Sequence, residues 1–465
     1  MGKHQLYRSG DSIRRSSRAA VSERGQNARV FDFYLPGCLR NAAGVVLLLS
    51  ATAVLALGQA QQAPLNLDDC VRLAGSAPSS VTVARQQSEI ARYGLIQARA
   101  GFLPQARVNN LVTYNSPLLY DRQTFSFVAL NGIREYSFLF AAGQEVDISG
   151  RLRAVLARAR ADQDAASANL GLTQRDLRRA VSAAYYHLLL SRRLTKVTRA
   201  SLSEAQSFEQ RTRLLAEKGE VAQADVVKAS AQVAFLEQAV STAELEAKMA
   251  NHELASFWTV KVDDLLDVVD ILDETLAPPP DSTTSIDAPF TRRLEFDFLD
   301  AQRRGLLADS RRARADLLPQ ANFVFQYGVD SLQAHIRDRG YAAFVNLNIP
   351  VFDWFKSLGA SRQFQQQAQQ VATNRQIVER AFSREYQDAL ERAKVVYSQI
   401  SMAQSQVKLS EQNLQLSRVR YEGGEGSALD VVAAQNQLAQ AQTSLYTTLA
   451  NYLNARVELE IASGR

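Results

Sequence analysis

Two hydrophobic periods follow one another along the chain, and the pair of them occurs twice. Around residues 321–350, Phe323, Phe325 and Tyr327 interleave with Asn322, Val324 and Gln326, and Val345, Leu347 and Ile349 interleave with Phe344, Asn346 and Asn348. A period of two puts each set on its own face of a strand. A less regular version runs through Val108, Val112 and Tyr114, then Tyr136, Phe138 and Phe140. The predicted strands are about 105–116, 133–149, 321–329 and 341–350. Each strand pair leads into a long stretch free of glycine and proline, 172–218 and 360–422, rich in Ala, Gln, Arg, Leu and Ser. These are mostly good helix formers. A helix from Gly150 to Lys218 would reach roughly 100 Å at about 1.5 Å per residue. The return legs cover about 226–257 and 427–460. In the second, Leu438, Ala441, Leu445, Thr448 and Tyr452 recur at spacings of 3, 4, 3 and 4, a coiled-coil seam. A helix this long cannot bury its seam alone, so pairing within each hairpin and between chains is expected.

The duplication is visible in the residues themselves. Arg99–Ala106 (RAGFLPQA) recurs as Arg314–Ala321 (RADLLPQA), and Arg213–Asp225 (RLLAEKGEVAQAD) recurs as Arg418–Asp430 (RVRYEGGEGSALD), each followed by Val-Val. The offset changes from 215 to 205, so the first copy carries about ten extra residues, and they fall between Pro104 and Asp147. Repeats at such a spacing set the architecture. The organisation predicted is a leader over 1–60, repeat one over 61–257 with its helical hairpin at about 150–257, a linker over 258–298, and repeat two over 299–465 with its hairpin at about 354–462. In the linker, Asp263, Asp264, Asp267, Asp270, Asp273 and Glu274 cluster ahead of Pro278-Pro279-Pro280. The cluster reads as a solvated acidic face; a calcium loop is the other reading, but the glycine and spacing of one are absent.

Charge and cysteines narrow the class. The formal charge of +5 lies entirely in residues 1–41, which hold eight Lys or Arg and three acids; residues 42–60 carry none, and the remainder is neutral. A nucleic-acid partner is therefore not expected. Basic residues, the apolar run Ala42–Leu57 and the small-x-small site Gly58-Gln59-Ala60 form a secretory leader, with cleavage expected after Ala60. The other reading, a signal anchor, has an apolar run short of the roughly 20 residues that span a bilayer. Cys38 leaves with the leader and Cys70 stands alone, so stability rests on packing and assembly rather than disulfides. No later segment has 18 uninterrupted apolar residues, which leaves strands as the route across a membrane. One strand face suits lipid and the Asn/Gln face a wet lumen; the same alternation also fits a half-buried hairpin of a soluble domain. His187 and His252 are isolated on helices, and no metal-spaced cluster, phosphate-binding loop or nucleophile motif occurs. No catalytic residue, metal site or cofactor is assigned, and the chain does not read as an enzyme.

Helix, Leu-Pro, β-hairpin, long helix, glycine-containing turn, Asp-Val and long helix, twice over behind a leader, resembles the TolC-like outer-membrane efflux protein family over about residues 65–462. The most specific pieces are the twin RAxxLPQA segments, Asn348–Asp353 (NIPVFD) and Tyr421–Val431 (YEGGEGSALDV). The resemblance implies a mainly α fold with a membrane β-barrel portion: a homotrimer whose subunits each give four strands to a 12-stranded barrel in outer-membrane lipid, above an α-helical barrel crossing the periplasm. It implies a passive exit duct of a tripartite efflux or type I secretion system, working with a periplasmic adaptor (membrane fusion) protein and an inner-membrane pump that supplies the cargo. It also implies that the hairpin tips dock the adaptor, here through Gly219, Glu220, Val221, Gly423, Gly424, Gly426 and Ser427, and that Asp430, Asp225 and Tyr421 form the pore constriction or gate. Family members with a second acidic ring carry an aspartate where this chain has Ala433, and Gly426 stands where some carry a latch arginine. Asp225 and Asp430 also suit helix starts. A ring of three Asp430 carboxylates is expected to bind one proton more readily than an isolated Asp. The external loops are expected at 115–134 and 330–340. The alternative function is an exported periplasmic coiled-coil spacer or adhesin without a pore.

Overall fold

A computed structural model describes residues 64–117, 119, 133–280, 289–333 and 335–464. The leader 1–60 lies outside the described residues, as does most of the expected loop 115–134. The chain from Ala63 on forms one unit. Its elements run in order α1 (Leu67–Ser76), α2 (Ser80–Ala100), β1 (Gln105–Tyr114), β2 (Arg134–Val146), α3 (Arg151–Glu217), α4 (Gln223–Ala255), α5 (Leu294–Ala315), β3 (Gln320–Ser331), β4 (Arg339–Asn348), α6 (Lys356–Glu422) and α7 (Ala428–Ala462). Both outgoing helices, α3 and α6, have 67 residues, roughly 100 Å each. Helices α2 and α5 both stop four residues short of their proline, since the residue before proline avoids the α region. Helix α5 starts at Leu294, inside the expected linker, because Arg293 is buried there. Its guanidinium bonds Glu295 at 2.9 Å and Glu385 of α6 at 2.8 Å and lies 3.6 Å from the Phe382 ring.

The four strands form one antiparallel sheet in chain order, and the two repeats meet at the β2–β3 pair. Register sorts the side chains. Val108, Phe140, Tyr327 and Tyr341 are direct partners across the sheet, so they share one face; so do Phe323 and Val345. Arg107, Ala141, Gln326 and Ala342 form a row on the other face, as do Asn322 and Asn346 on β3 and β4. The apolar face is uncovered in the single chain, with Tyr341 79% and Val345 66% exposed. Gly328 lies where β3 comes so close to β2 that a Cβ would sit 1.9 Å from the Phe138 carbonyl oxygen. β2 ends at Val146, short of the expected 149, because Asp147 turns back to accept from the Leu152 N–H at 2.9 Å. β4 stops two residues before Pro350, which has no N–H to add to a ladder. Most of the length difference between the copies falls in the β1–β2 connection, 115–133, against 332–338 between β3 and β4.

The largest core cluster lies midway along α3, against the C-terminal ends of α4 and α7. Tyr185, Leu188 and Leu189 of α3, Leu254 of α4 and Leu453 of α7 close around Cys70 of α1 and Val268 and Leu272 of the acidic segment. Leu65 and Val268 pair as a parallel bridge, and Tyr185 donates to the Val269 carbonyl at 2.6 Å. Buried Asn251 accepts from the Leu266 N–H at 3.0 Å and donates to the Asp264 carbonyl at 2.9 Å. The acidic run is thus only partly a solvated face. Asp270 binds Arg193 at 2.6 Å, Asp273 binds the same guanidinium, and Asp263 lies 3.1 Å from His252. His187 is likewise 3.0 Å from Glu253, so neither histidine is isolated.

Candidate functional site

Both hairpin tips close with the same backbone device. In repeat one, the Glu220 N–H bonds the Leu215 carbonyl at 2.9 Å and the Gly219 N–H bonds Ala216 at 3.0 Å. In repeat two, Glu425 bonds Arg420 at 2.9 Å and Gly424 bonds Tyr421 at 3.1 Å. This is the Schellman motif, which needs a left-handed residue after the helix. Gly219 and Gly424 supply it, each at φ +77. Gly219, Glu220, Gly423, Gly424 and Ser427 are exposed, whereas Val221 packs partly against the core beneath. Gly426 is half-buried, and a Cβ there would meet the Tyr421 nitrogen at 3.1 Å.

The two copies start their return helices differently. Ser427 and Asp430 form a reciprocal capping box: the Ser427 N–H and hydroxyl donate to Asp430 Oδ2 at 2.9 and 2.8 Å, and the Asp430 N–H donates to Ser427 Oγ at 3.2 Å. Those bonds from Ser427, backbone first and hydroxyl second, hold the exposed Asp430 carboxyl below the usual carboxylate range. That is opposite to the push that three like charges would exert. In repeat one the N-cap is Ala222, with no side-chain cap, and Asp225 instead pairs with Lys228 at 3.1 Å.

Tyr421 is buried in a core shared by both hairpins. Its ring lies 5.2 Å from that of Phe208 on α3, its hydroxyl 3.5 Å from Thr212 Oγ1, and Val431 and Ala434 of α7 complete the cluster. Charged pairs flank it: Arg418 with Glu204, and Arg211 with Glu422 at 3.5 Å. Gln232 of α4 donates to Asn436 of α7 at 2.8 Å. The sequence singles out Tyr421 but not the Phe208, Thr212, Glu204 and Arg418 that surround it. The available signal is Phe208, the one large apolar side chain in the stretch Ser203–Thr212.

Among the described residues no group of three or more His, Cys, Asp or Glu is placed to hold a metal ion, and no helix is long and apolar enough to cross a membrane. The chain shows two hairpins locked at their tips, joined to one sheet with an apolar and a polar face.

Solved structures share this arrangement. The Campylobacter jejuni CmeC outer membrane channel superposes with a TM-score of 0.75 at 15% identity, covering 86% of this chain and 85% of that one. VceC, an outer membrane protein of Vibrio cholerae, gives 0.72 at 16% identity, covering 86% and 96%. The open state of the Neisseria gonorrhoeae MtrE outer membrane channel gives 0.73 at 17%, covering 86% and 88%. A search among curated proteins gives no significant match. At these identities the superpositions show the fold alone. The profile described as outer membrane efflux protein, however, matches residues 74–259 and 292–465, one block for each repeat. The chain belongs to the outer membrane efflux protein family, and its place is the outer membrane.

Proposed function

We propose that three copies of this chain close a single 12-stranded barrel and a continuous helical tunnel, which serves as the passive exit duct of a tripartite efflux or type I secretion system. The observation that carries this is the open sheet. β1 and β4 are its edges, and with an even number of antiparallel strands they run in opposite directions. β4 of one copy can therefore add to β1 of the next with the alternation unbroken. Unpaired edge groups are not viable in hydrocarbon, and cyclic assembly removes them. The helices support the same assembly. Val395, Met402, Leu409 and Leu416 repeat every seven residues along α6 and are 52–66% exposed, while Val227, Phe235, Leu245 and Met249 are uncovered on α4. The bare apolar heptad stripe on α6 calls for a partner helix.

The tips 217–225 and 422–430 dock the periplasmic adaptor, and the inner-membrane pump supplies the cargo. Exposed glycines at both turns let another helical hairpin approach closely. Asp430 forms the periplasmic constriction and Asp225 its counterpart in the first copy. Tyr421 acts from beneath, by holding the two hairpins together. A cysteine at Val112 on β1 combined with single cysteines scanned from Tyr341 to Leu347 on β4 tests the assembly. At the correct register, covalently linked trimers form in outer-membrane fractions. Monomers at every register would exclude the shared barrel.

A further inference from the structure

The polar face of the sheet carries a cation that no side chain neutralises among the described residues. Arg107 is the third residue of β1, at the end of the sheet where α2 enters it. It is exposed, and among the described residues it forms no ion pair and no side-chain hydrogen bond. Its row across the sheet is Ala141, Gln326 and Ala342, none of them charged and two of them no larger than a methyl group. Three acids of the strands share this face, and none stands beside Arg107. Glu145 is held by Arg151 through both oxygens, at 2.9 Å to one of them. Asp330 lies four residues beyond Gln326 and Glu135 six from Ala141, about 13 and 20 Å along the strands at about 3.3 Å per residue. Repeat two has Asn322 at the position matching Arg107, on the same face. Both copies thus keep a polar residue there, and one of them a charge.

We propose that three Arg107 guanidiniums, one per subunit, form a cationic belt inside the barrel that binds multivalent anions in preference to monovalent ones. The inference rests on the proposed barrel, which turns the polar face inward. An arginine on the lipid face would be costly, and that face is the one to which the neighbouring Val108 belongs. Three-fold symmetry brings the three side chains to one height. Closure adds no acid beside them: β4 of the next copy would present Gly340, Ala342, Phe344, Asn346 and Asn348 on this face. Twelve strands about 4.8 Å apart and tilted about 45° give a backbone radius of about 13 Å. Arginine side chains reaching inward from that wall stand within a Debye length of the axis, about 10 Å at 0.1 M salt. Their fields therefore overlap in the lumen. The attraction grows with the charge of the ion that enters, so an anion with several charges gains most from the three together. Guanidinium also pairs bidentately with phosphate and carboxylate oxygens, and it stays charged while carboxylates titrate. Rings of arginine or lysine are a means by which pores favour anions. Asp430 lies at the far end of the helical hairpins, roughly 100 Å away, so the belt acts independently of it.

The test is block of single-channel current by inorganic tripolyphosphate, in planar bilayers at low salt and neutral pH. Wild type is titrated beside Arg107→Gln and Arg107→Lys. Arg107 is exposed and unpaired, so neither change disturbs the fold. The half-blocking concentration is expected to rise by about tenfold or more in Arg107→Gln, which removes all three charges. In Arg107→Lys, which keeps the charge and loses the bidentate fork, it rises by about threefold at most. Gln326→Arg places a second cation in the same row. It is expected to lower the half-blocking concentration by about threefold or more and to shift the reversal potential toward anion selectivity. Conducting Arg107→Gln trimers blocked as readily as wild type would overturn the belt and leave the duct standing. Conducting wild-type trimers that tripolyphosphate does not block would overturn it equally. Wild-type chains that give no trimers or no conductance would instead refute the duct, and the belt with it.

Discussion

At the scale of single residues, the tips separate backbone demands from side-chain chemistry. Nothing lies within 4 Å of a Cβ built on Gly424, so its requirement is the left-handed backbone alone. Gly424→Ala is expected to cost the hairpin about 1–2 kcal/mol and to leave export intact. On the proposed docking, Gly424→Trp is expected to keep trimers but abolish export, because a large side chain would stand in the adaptor's way; a transport assay beside a trimer gel checks both. Asp430 has a double role. As the far half of a capping box it supports the start of α7, and its lowered pKa fixes the sign of the pH effect. The stabilisation is complete above the unfolded-state value of about 3.9 and is lost as pH falls through the lower folded value. As the constriction proposed above, it would concentrate cations. Because the capping bonds oppose ring protonation, cation selectivity is expected to hold down to about pH 4. Asp430→Ala removes it at neutral pH, and the reversal potential of single channels under a salt gradient reports the change. Asp430→Asn, which keeps a side-chain acceptor for the cap, separates the charge from the cap.

At the scale of elements, the segment 258–280 shows how a polar run becomes structural. Arg193 gathers Asp270 and Asp273 while Val268 and Leu272 enter the core between α1 and α3. Arg193 is largely buried there, so its charged hydrogen bonds gain from reduced screening. Arg193→Ala is expected to cost about 1.5–3 kcal/mol and to loosen this segment first. Faster tryptic cleavage after Lys261, before any loss of trimer, is the measurement. Much at this scale was legible beforehand. Glycine- and proline-free stretches gave both long helices, and period-two alternation gave four strands, because both patterns are local. The ends of β2 and β4 were less legible, since one is set by a side-chain turn at Asp147 and the other by the missing N–H of Pro350.

At the scale of the whole molecule, the central core carries the stability of the single chain, and the proposed assembly would add to it. Among the described residues no disulfide contributes; Cys70 is a free thiol, fully buried on α1. Burial pushes its pKa up to about 11, with the neighbouring Asp69 charge adding to the effect. Native trimers at pH 8 are therefore expected to resist maleimide, and the same protein in denaturant to label once per chain at Cys70 after leader removal; mass spectrometry reads both. Labelling of the native trimer would mean that the core around α1 opens readily. The inert thiol also leaves the engineered β1 and β4 cysteines as the reactive pair in the cross-linking experiment.

The duplication, the length of the hairpins, the apolar and polar faces of the strands, and the glycines at the tips are legible in the residues alone. Each is written in a short period or in a residue whose backbone freedom is its signal. Packing in three dimensions settles that Tyr421 meets Phe208 and Thr212 on the other hairpin, that the acidic run folds back onto Arg193, that Asp430 is capped while its counterpart Asp225 pairs with Lys228, and that Trp354 and Phe355 adopt left-handed backbone. The contacts between hairpins join residues some 210 positions apart, and no local period records which side chains meet across such a distance. The strained turn and the capped aspartate are settled by a balance of nearby hydrogen bonds and packing that several residue types could satisfy, so composition alone does not announce them.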